Sequence, residues 1–316
     1  MSLVEQTIAR LKRQQAKSGA DVNVVARAAS SADVNVVARS ASSGDVNVVA
    51  RSPHVDAPDI PAEPLEDADS LAKQIIVDNA ALRDSGYFPE RQKDRQFADQ
   101  YRRIKRPLIE KAMREAATRS ESRIVMVTSA LPGDGKTFTS INLALSMAAE
   151  RDVSVLLIDA DVAKRHISTM FGLTERPGLL DALVHEDTDA EAAIVPTSTR
   201  GFSILPAGTP VAGTEELLSS NRMRKIMASL CTRSPRRVIL LDSSPLLVTN
   251  EGRALLKIAG QVVLVVRAEV TPRAAIQAAV SLFEPQHAGG VVLNQVVSRA
   301  EDYYEYGSYG ADGEKA

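Results

Sequence analysis

Apolar residues in the second half of this chain recur in two alternating rhythms. Ile124 to Thr128, Val153 to Ile158, Phe202 to Leu205, Val238 to Leu241, Val262 to Val266 and Val291 to Leu293 are short runs rich in branched residues. Runs of strand length with few polar interruptions belong to strands buried on both faces. Between them, Lys136 to Ala149, Glu215 to Leu230, Glu251 to Ile258 and Pro272 to Phe283 have helical spacing. Strands that alternate with helices predict an α/β fold, a mostly parallel sheet with helices on both faces. Upstream, residues 96–118 carry a helical pattern through Tyr101, Ile104, Leu108 and Met113, with Pro107 expected to kink it or start a turn. Helices are also predicted over 71–84 and over 3–17, where Val4, Ile8 and Leu11 share a face.

The rhythm is absent from the leading part of the chain. There the heptad Asp-Val-Asn-Val-Val-Ala-Arg occurs at 21–27, 33–39 and 45–51, a period of 12 with spacers of Ser, Ala and Gly. Three such units bury little surface, so residues 1–65 read as a disordered segment. The competing reading is a peptide motif that adds a strand to a partner's sheet. Residues 52–67 hold four prolines and extend the linker. The folded domain is expected over 66–298, and 299–316 as a flexible tail rich in tyrosine.

Composition narrows the setting. Lys and Arg total 38 against 40 Asp and Glu, which gives no general argument for nucleic-acid or membrane binding. The single cysteine, Cys231, excludes a disulfide framework and suits a reducing compartment. No apolar run approaches the ~20 residues of a membrane span. A cytoplasmic protein is expected, reaching the inner face of the plasma membrane through a partner.

The chemistry is concentrated where strands end. Ala130-Leu131-Pro132-Gly133-Asp134-Gly135-Lys136-Thr137 follows one predicted strand and opens a predicted helix. Gly133 and Gly135 permit a turn that points N–H groups inward, and the helix N-terminus favours phosphate. Pro132, Gly133, Asp134, Gly135, Lys136, Thr137 and Phe138 are therefore candidate nucleotide-binding residues, in a P-loop NTPase fold. Lys136 supplies a point charge to the β- and γ-phosphates, and Thr137 a hydroxyl to Mg²⁺. Two later strands end in acids, Asp159-Ala160-Asp161 and Asp242. The carboxyl edge of an open parallel sheet faces the ligand crevice. Asp242 is assigned to Mg²⁺, chiefly through water. Asp159 is assigned both to the metal and to orienting or deprotonating an attacking hydroxyl, and Asp161 to help place the metal. ATP and Mg²⁺ are the expected ligands.

Taken together, these segments resemble the bacterial tyrosine autokinases of polysaccharide export, and more narrowly the soluble autokinase of exosortase-associated loci. The resemblance covers roughly 71–309. It rests on Thr128 to Thr137, Asn142, Asp159-Ala160-Asp161, Asp242 with Pro245, Leu205-Pro206-Ala207-Gly208 and Glu216-Leu217-Leu218. It implies that Asn294 lies near the adenine and that Tyr303, Tyr304, Tyr306 and Tyr309 are phosphorylation sites. It also implies tail phosphorylation in trans within a homo-oligomer, and a membrane chain-length regulator of polysaccharide export as activating partner. Three positions depart from the family pattern. Ala163 stands where an arginine is usual, with Lys164 and Arg165 next to it. Ser244 replaces the first proline after Asp242. Asp99-x-x-Arg102-x-x-Lys105 only approximates the ring-forming helix motif.

Two further readings compete with the autokinase. A switch ATPase of the partition or division-site positioning type normally has a second lysine five residues before the phosphate-binding one, where this chain has Leu131, and needs no tyrosine tail. A regulatory scaffold that binds ATP with weak transfer is kept open by the missing arginine.

Overall fold

A computed structural model describes residues 23–28, 74–88, 94–284, 287 and 289–296. The predicted helix over 3–17, the second and third heptads and the four tail tyrosines lie outside the described residues.

Eight strands form one sheet. They are β1 (Asn23–Ala28), β2 (Ile124–Ser129), β3 (Ser154–Asp159), β4 (Val195–Pro196), β5 (Phe202–Leu205), β6 (Arg237–Asp242), β7 (Gln261–Arg267) and β8 (Gly290–Val296). Their spatial order is β1-β8-β7-β2-β6-β3-β5-β4, and every pair is parallel except β4 with β5. Strands β2, β3, β6 and β7 are apolar and buried almost throughout, as the sequence pattern requires. Alternate residues feed two cores. Ile124, Met126, Leu156, Ile158, Ile239 and Leu241 join one; Val125, Val127, Val155, Leu157, Val238 and Leu240 join the other.

The helices are α1 (Asn79–Asp84), α2 (Asp94–Glu115), α3 (Lys136–Ala148), α4 (His166–Met170), α5 (Leu179–Val184), α6 (Thr214–Ser219), α7 (Asn221–Arg233), α8 (Asn250–Leu256) and α9 (Arg273–Ser281). The second core is covered by α2, through Tyr101, Ile104, Leu108 and Ala112, and by α3, through Ile141, Leu143, Ala144 and Met147. The first is covered by α5, α7, α8 and α9. Among the described residues no helix is long and apolar enough to cross a membrane.

Four local expectations change. Pro107 lies inside an unbroken α2, whose buried apolar face outweighs the one backbone bond that proline cannot make. The 71–84 helix shrinks to Asn79–Asp84, because Ile75 is extended and bridges Thr197 beside β4. Glu215 to Leu230 is two helices. Ser220 ends α6 and caps α7, its hydroxyl accepting from Met223 N at 3.1 Å. Within residues 1–65, Asn23–Ala28 is not linker but the strand that pairs with the outer edge of β8.

Candidate nucleotide site

The loop between β2 and α3 is shaped from within by its own aspartate. Asp134 is buried and turns its carboxylate away from solvent. It accepts from Leu131 N at 3.2 Å and from the Thr271 hydroxyl at 2.7 Å. Burial raises its proton affinity, and these hydrogen bonds oppose that. Asp134 therefore holds the loop, while Pro132 and Gly133 form its exposed crest.

Gly135 begins α3 at φ 94°, a conformation few other residues adopt. A methyl group there would lie 1.9 Å from Nδ2 of Asn294. Asn294, on β8, donates from that atom to the Asp134 carbonyl at 2.8 Å. Its observed place is thus a brace behind the phosphate loop. Phe138 turns its ring toward Phe97 of α2, at 5.9 Å edge to face, which leaves its backbone to serve the loop. Asn142 donates to the carbonyls of Tyr87 and Phe138 at 2.9 and 2.7 Å, tying the segment after α1 to α3.

The strand ends meet this loop. Asp159 and Asp242 are register partners on adjacent strands, and Val127 on β2 is the other partner of Asp242. Asp242 is fully buried and accepts from the Thr137 hydroxyl and the Ser140 hydroxyl, both at 2.8 Å. The Lys136 ammonium lies 2.8 Å from Asp161. Asp159 is also fully buried. One of its oxygens accepts from Ser168 N and the Ser168 hydroxyl, both at 2.7 Å; the other is buried and meets no donor.

Burial and a neighbouring carboxylate raise the proton affinity of both Asp242 and Asp159. Burial first, and then Asp159, push Asp242 up to about 7, against the pull of Lys136 and two hydroxyl donors. Burial first, and then Asp161, push Asp159 up to about 6, against the donors of Ser168 and the charge of Lys136. Burial works against the Lys136 charge, yet Asp242 and Asp161 together raise its pKa. The pocket holds more negative than positive charge when ionised, which suits an added cation.

No group of three or more His, Cys, Asp or Glu side chains forms a ready metal cage among the described residues. The fit is to a cation that retains water and phosphate oxygens and takes few protein ligands, as Mg²⁺ does. Thr137 and Asp242 could supply those few.

Sequence reading missed the supports. Ser140 is one helical turn after Lys136 on α3, and that spacing could have placed it on the same face. Ser168 and Thr271 carry no such signal. The departures from the family pattern also have places. The Ser244 hydroxyl lies 2.6 Å from that of Thr249, the cap of α8. Arg165 donates to the Thr174 carbonyl, and Lys164 is exposed. Lys105 turns inward to the Ser146 carbonyl and to Glu150 at 2.8 Å, while Arg102 pairs with Asp99.

Residues 122–284 match the family model described as AAA domain. The chain is 30% identical over 214 residues to the tyrosine-protein kinase YwqD of Bacillus subtilis, covering 67% of this chain and 86% of that protein. It is 30% identical over 196 residues to the tyrosine-protein kinase Wzc of Salmonella typhimurium, covering 61% of this chain and 27% of that protein. The chain thus spans about a quarter of that longer relative. The kinase domain of the Escherichia coli tyrosine kinase ETK superposes with a TM-score of 0.56 at 25% identity, over 64% of this chain and 77% of that one. With YwqD matched over most of its length, this chain belongs to the bacterial tyrosine-protein kinase family.

Proposed function

We propose that the chain is a Mg-ATP-dependent protein-tyrosine autokinase that regulates exopolysaccharide polymerisation or export. The observation that carries the reading is the meeting of Lys136, Thr137, Asp159, Asp161 and Asp242 at one sheet edge, in a member of a tyrosine-kinase family.

The roles follow from the contacts. Backbone N–H groups from Gly133 to Phe138 and the start of α3 cradle the phosphates. Lys136 is held near the reacting phosphates by Asp161, which it exchanges for phosphate oxygens when ATP enters. Asp242 and the Thr137 hydroxyl would hold Mg²⁺, which neutralises phosphate charge when bound. Asp159 has one oxygen anchored by Ser168 and one free. A carboxylate fixed in that way, with a pKa near the working pH, can accept the proton of an incoming tyrosine hydroxyl. The tyrosine oxygen then forms its bond to the γ-phosphorus as the bond to ADP breaks.

Tyr303, Tyr304, Tyr306 and Tyr309 are the proposed acceptors, phosphorylated between copies in a homo-oligomer. The chain would work in the cytoplasm, recruited to the plasma membrane by a chain-length regulator of polysaccharide export, as an exosortase-associated autokinase. Purified protein with Mg-ATP tests this. Phosphotyrosine is expected within 303–309 and absent in Lys136→Met. ATP hydrolysis without phosphotyrosine, with the regulator's cytoplasmic segment present, would favour the partition-type switch ATPase.

A further inference from the structure

The first heptad does not merely precede the domain; its core residues close one side of the sheet. Asn23, Val24, Val25 and Ala26 pair in parallel with Gly290, Val291, Val292 and Leu293. The register then shifts, and Ala28 pairs with Val296. Without this strand, β8 would be an edge with unpaired backbone groups facing solvent.

That edge meets one heptad, but the chain carries three identical ones. Asn35-Val36-Val37-Ala38-Arg39 and Asn47-Val48-Val49-Ala50-Arg51 repeat Asn23-Val24-Val25-Ala26-Arg27 residue for residue. Strand addition reads backbone groups and alternate side chains, and both are the same in all three copies through the heptad; only the last paired residue, Ala28, becomes Ser40 or Ser52. We propose that the outer edge of β8 is a strand-addition slot shared by the three heptads, which exchange in cis by steps of twelve residues. The occupant is the chain's own second or third heptad, in competition with the first.

Chain length permits each exchange. With the third heptad in the slot, the 22 residues from 53 to 74 must reach back to Ile75. At ~3.3 Å per residue they span up to ~70 Å, whereas a domain of this size is ~45 Å across. The first and second heptads leave longer connections. Tethering also favours the chain's own heptads over those of another copy, because it raises their local concentration. Asp21, Asp33 and Asp45 before each unit, and Arg27, Arg39 and Arg51 at its end, place charge beside each Val-rich stretch and oppose open-ended strand stacking.

Hydrogen exchange on the full chain tests the slot, read at the backbone amides of Gly290–Val296. Three variants are compared: Val24→Pro with Val25→Pro alone, the same change in the second and third heptads alone, and the change in all three. Far-UV circular dichroism and a cooperative melt confirm that each variant is folded. Losing the first heptad leaves two of three occupants, so protection on β8 should fall only about 1.5-fold. Losing all three should remove the protection that the outer strand confers. A synthetic ten-residue peptide spanning Ala20 to Ala29, added to the triple variant, should restore it, and a scrambled peptide should not.

Loss of protection on changing the first heptad alone would overturn the proposal, since the slot would then read one unit by position. So would full protection in the triple variant. A wild-type dimer that becomes monomeric in the triple variant would assign the occupant to a second copy and overturn exchange in cis.

Discussion

Asp242→Asn separates the stability of the nucleotide site from its function. Asp242 is buried between Asp159 and Lys136, and its folded pKa is about 7 against an ordinary 3.8. Because the folded value is the higher, the native state keeps a proton that the unfolded chain has already released. Stability from this group is full below pH ~4 and is lost as pH rises to about 7. Integrated over that titration, the loss is about 1.7 kcal/mol by pH 5 and about 4 kcal/mol by pH 8. Asn cannot ionise, so its advantage over Asp should widen by about 2.5 kcal/mol between pH 5 and pH 8, whatever fixed cost its amide brings. For a domain of this size, that is about 5–10 °C in Tm. Differential scanning fluorimetry of both proteins without nucleotide, from pH 5 to pH 8, measures the widening directly. Added Mg-ATP should reverse the ranking, since wild type gains binding energy that the Asp242→Asn variant forgoes. A gap that stays flat or narrows with rising pH would refute the account of Asp242 as an ionisable group held against burial.

Four other outcomes follow from the same geometry. Gly135→Ala meets both a positive φ and the Asn294 amide; nucleotide affinity, measured by calorimetry, should fall at least about 10-fold, and adding Asn294→Ala should recover part of it, a non-additive pair. Asp159→Asn should leave Mg-ADP affinity within about 3-fold while tyrosine transfer drops about 100-fold or more; lost binding with no defect specific to transfer would sink its role as base. In wild type, the single-turnover transfer rate should rise with pH through about 6 as Asp159 ionises, and a rate that falls over that range would contradict the assignment. In Lys136→Met, phosphotyrosine detected by mass spectrometry should be absent.

The sheet was legible because its strands are written as unbroken apolar runs, and the loop because Gly133, Gly135, Lys136 and Thr137 sit at a strand-to-helix junction. Asp159 and Asp242 were legible as strand ends, though their register pairing was not, because it joins residues far apart in the chain. Ser168 escaped for a related reason. It serves Asp159 only because the turn after β3 brings α4 back over the strand end. The side-chain role of Asp134 was not legible from the motif, because one of its partners, Thr271, lies far along the chain, while the other is Leu131 N within the loop. Strand β1 was hidden by distance, as its hydrogen-bonding partner lies at the opposite end of the domain's sequence.

The dependence of one sheet face on α2 bears on how the domain can be excised. The AAA match begins at residue 122, after α2 has ended. Expression boundaries drawn from that match would strip Tyr101, Ile104, Leu108 and Ala112 from Val125, Val127 and Val263, leaving a greasy wall open to water. Such a fragment would sediment as aggregate, and its inactivity would say nothing about the kinase.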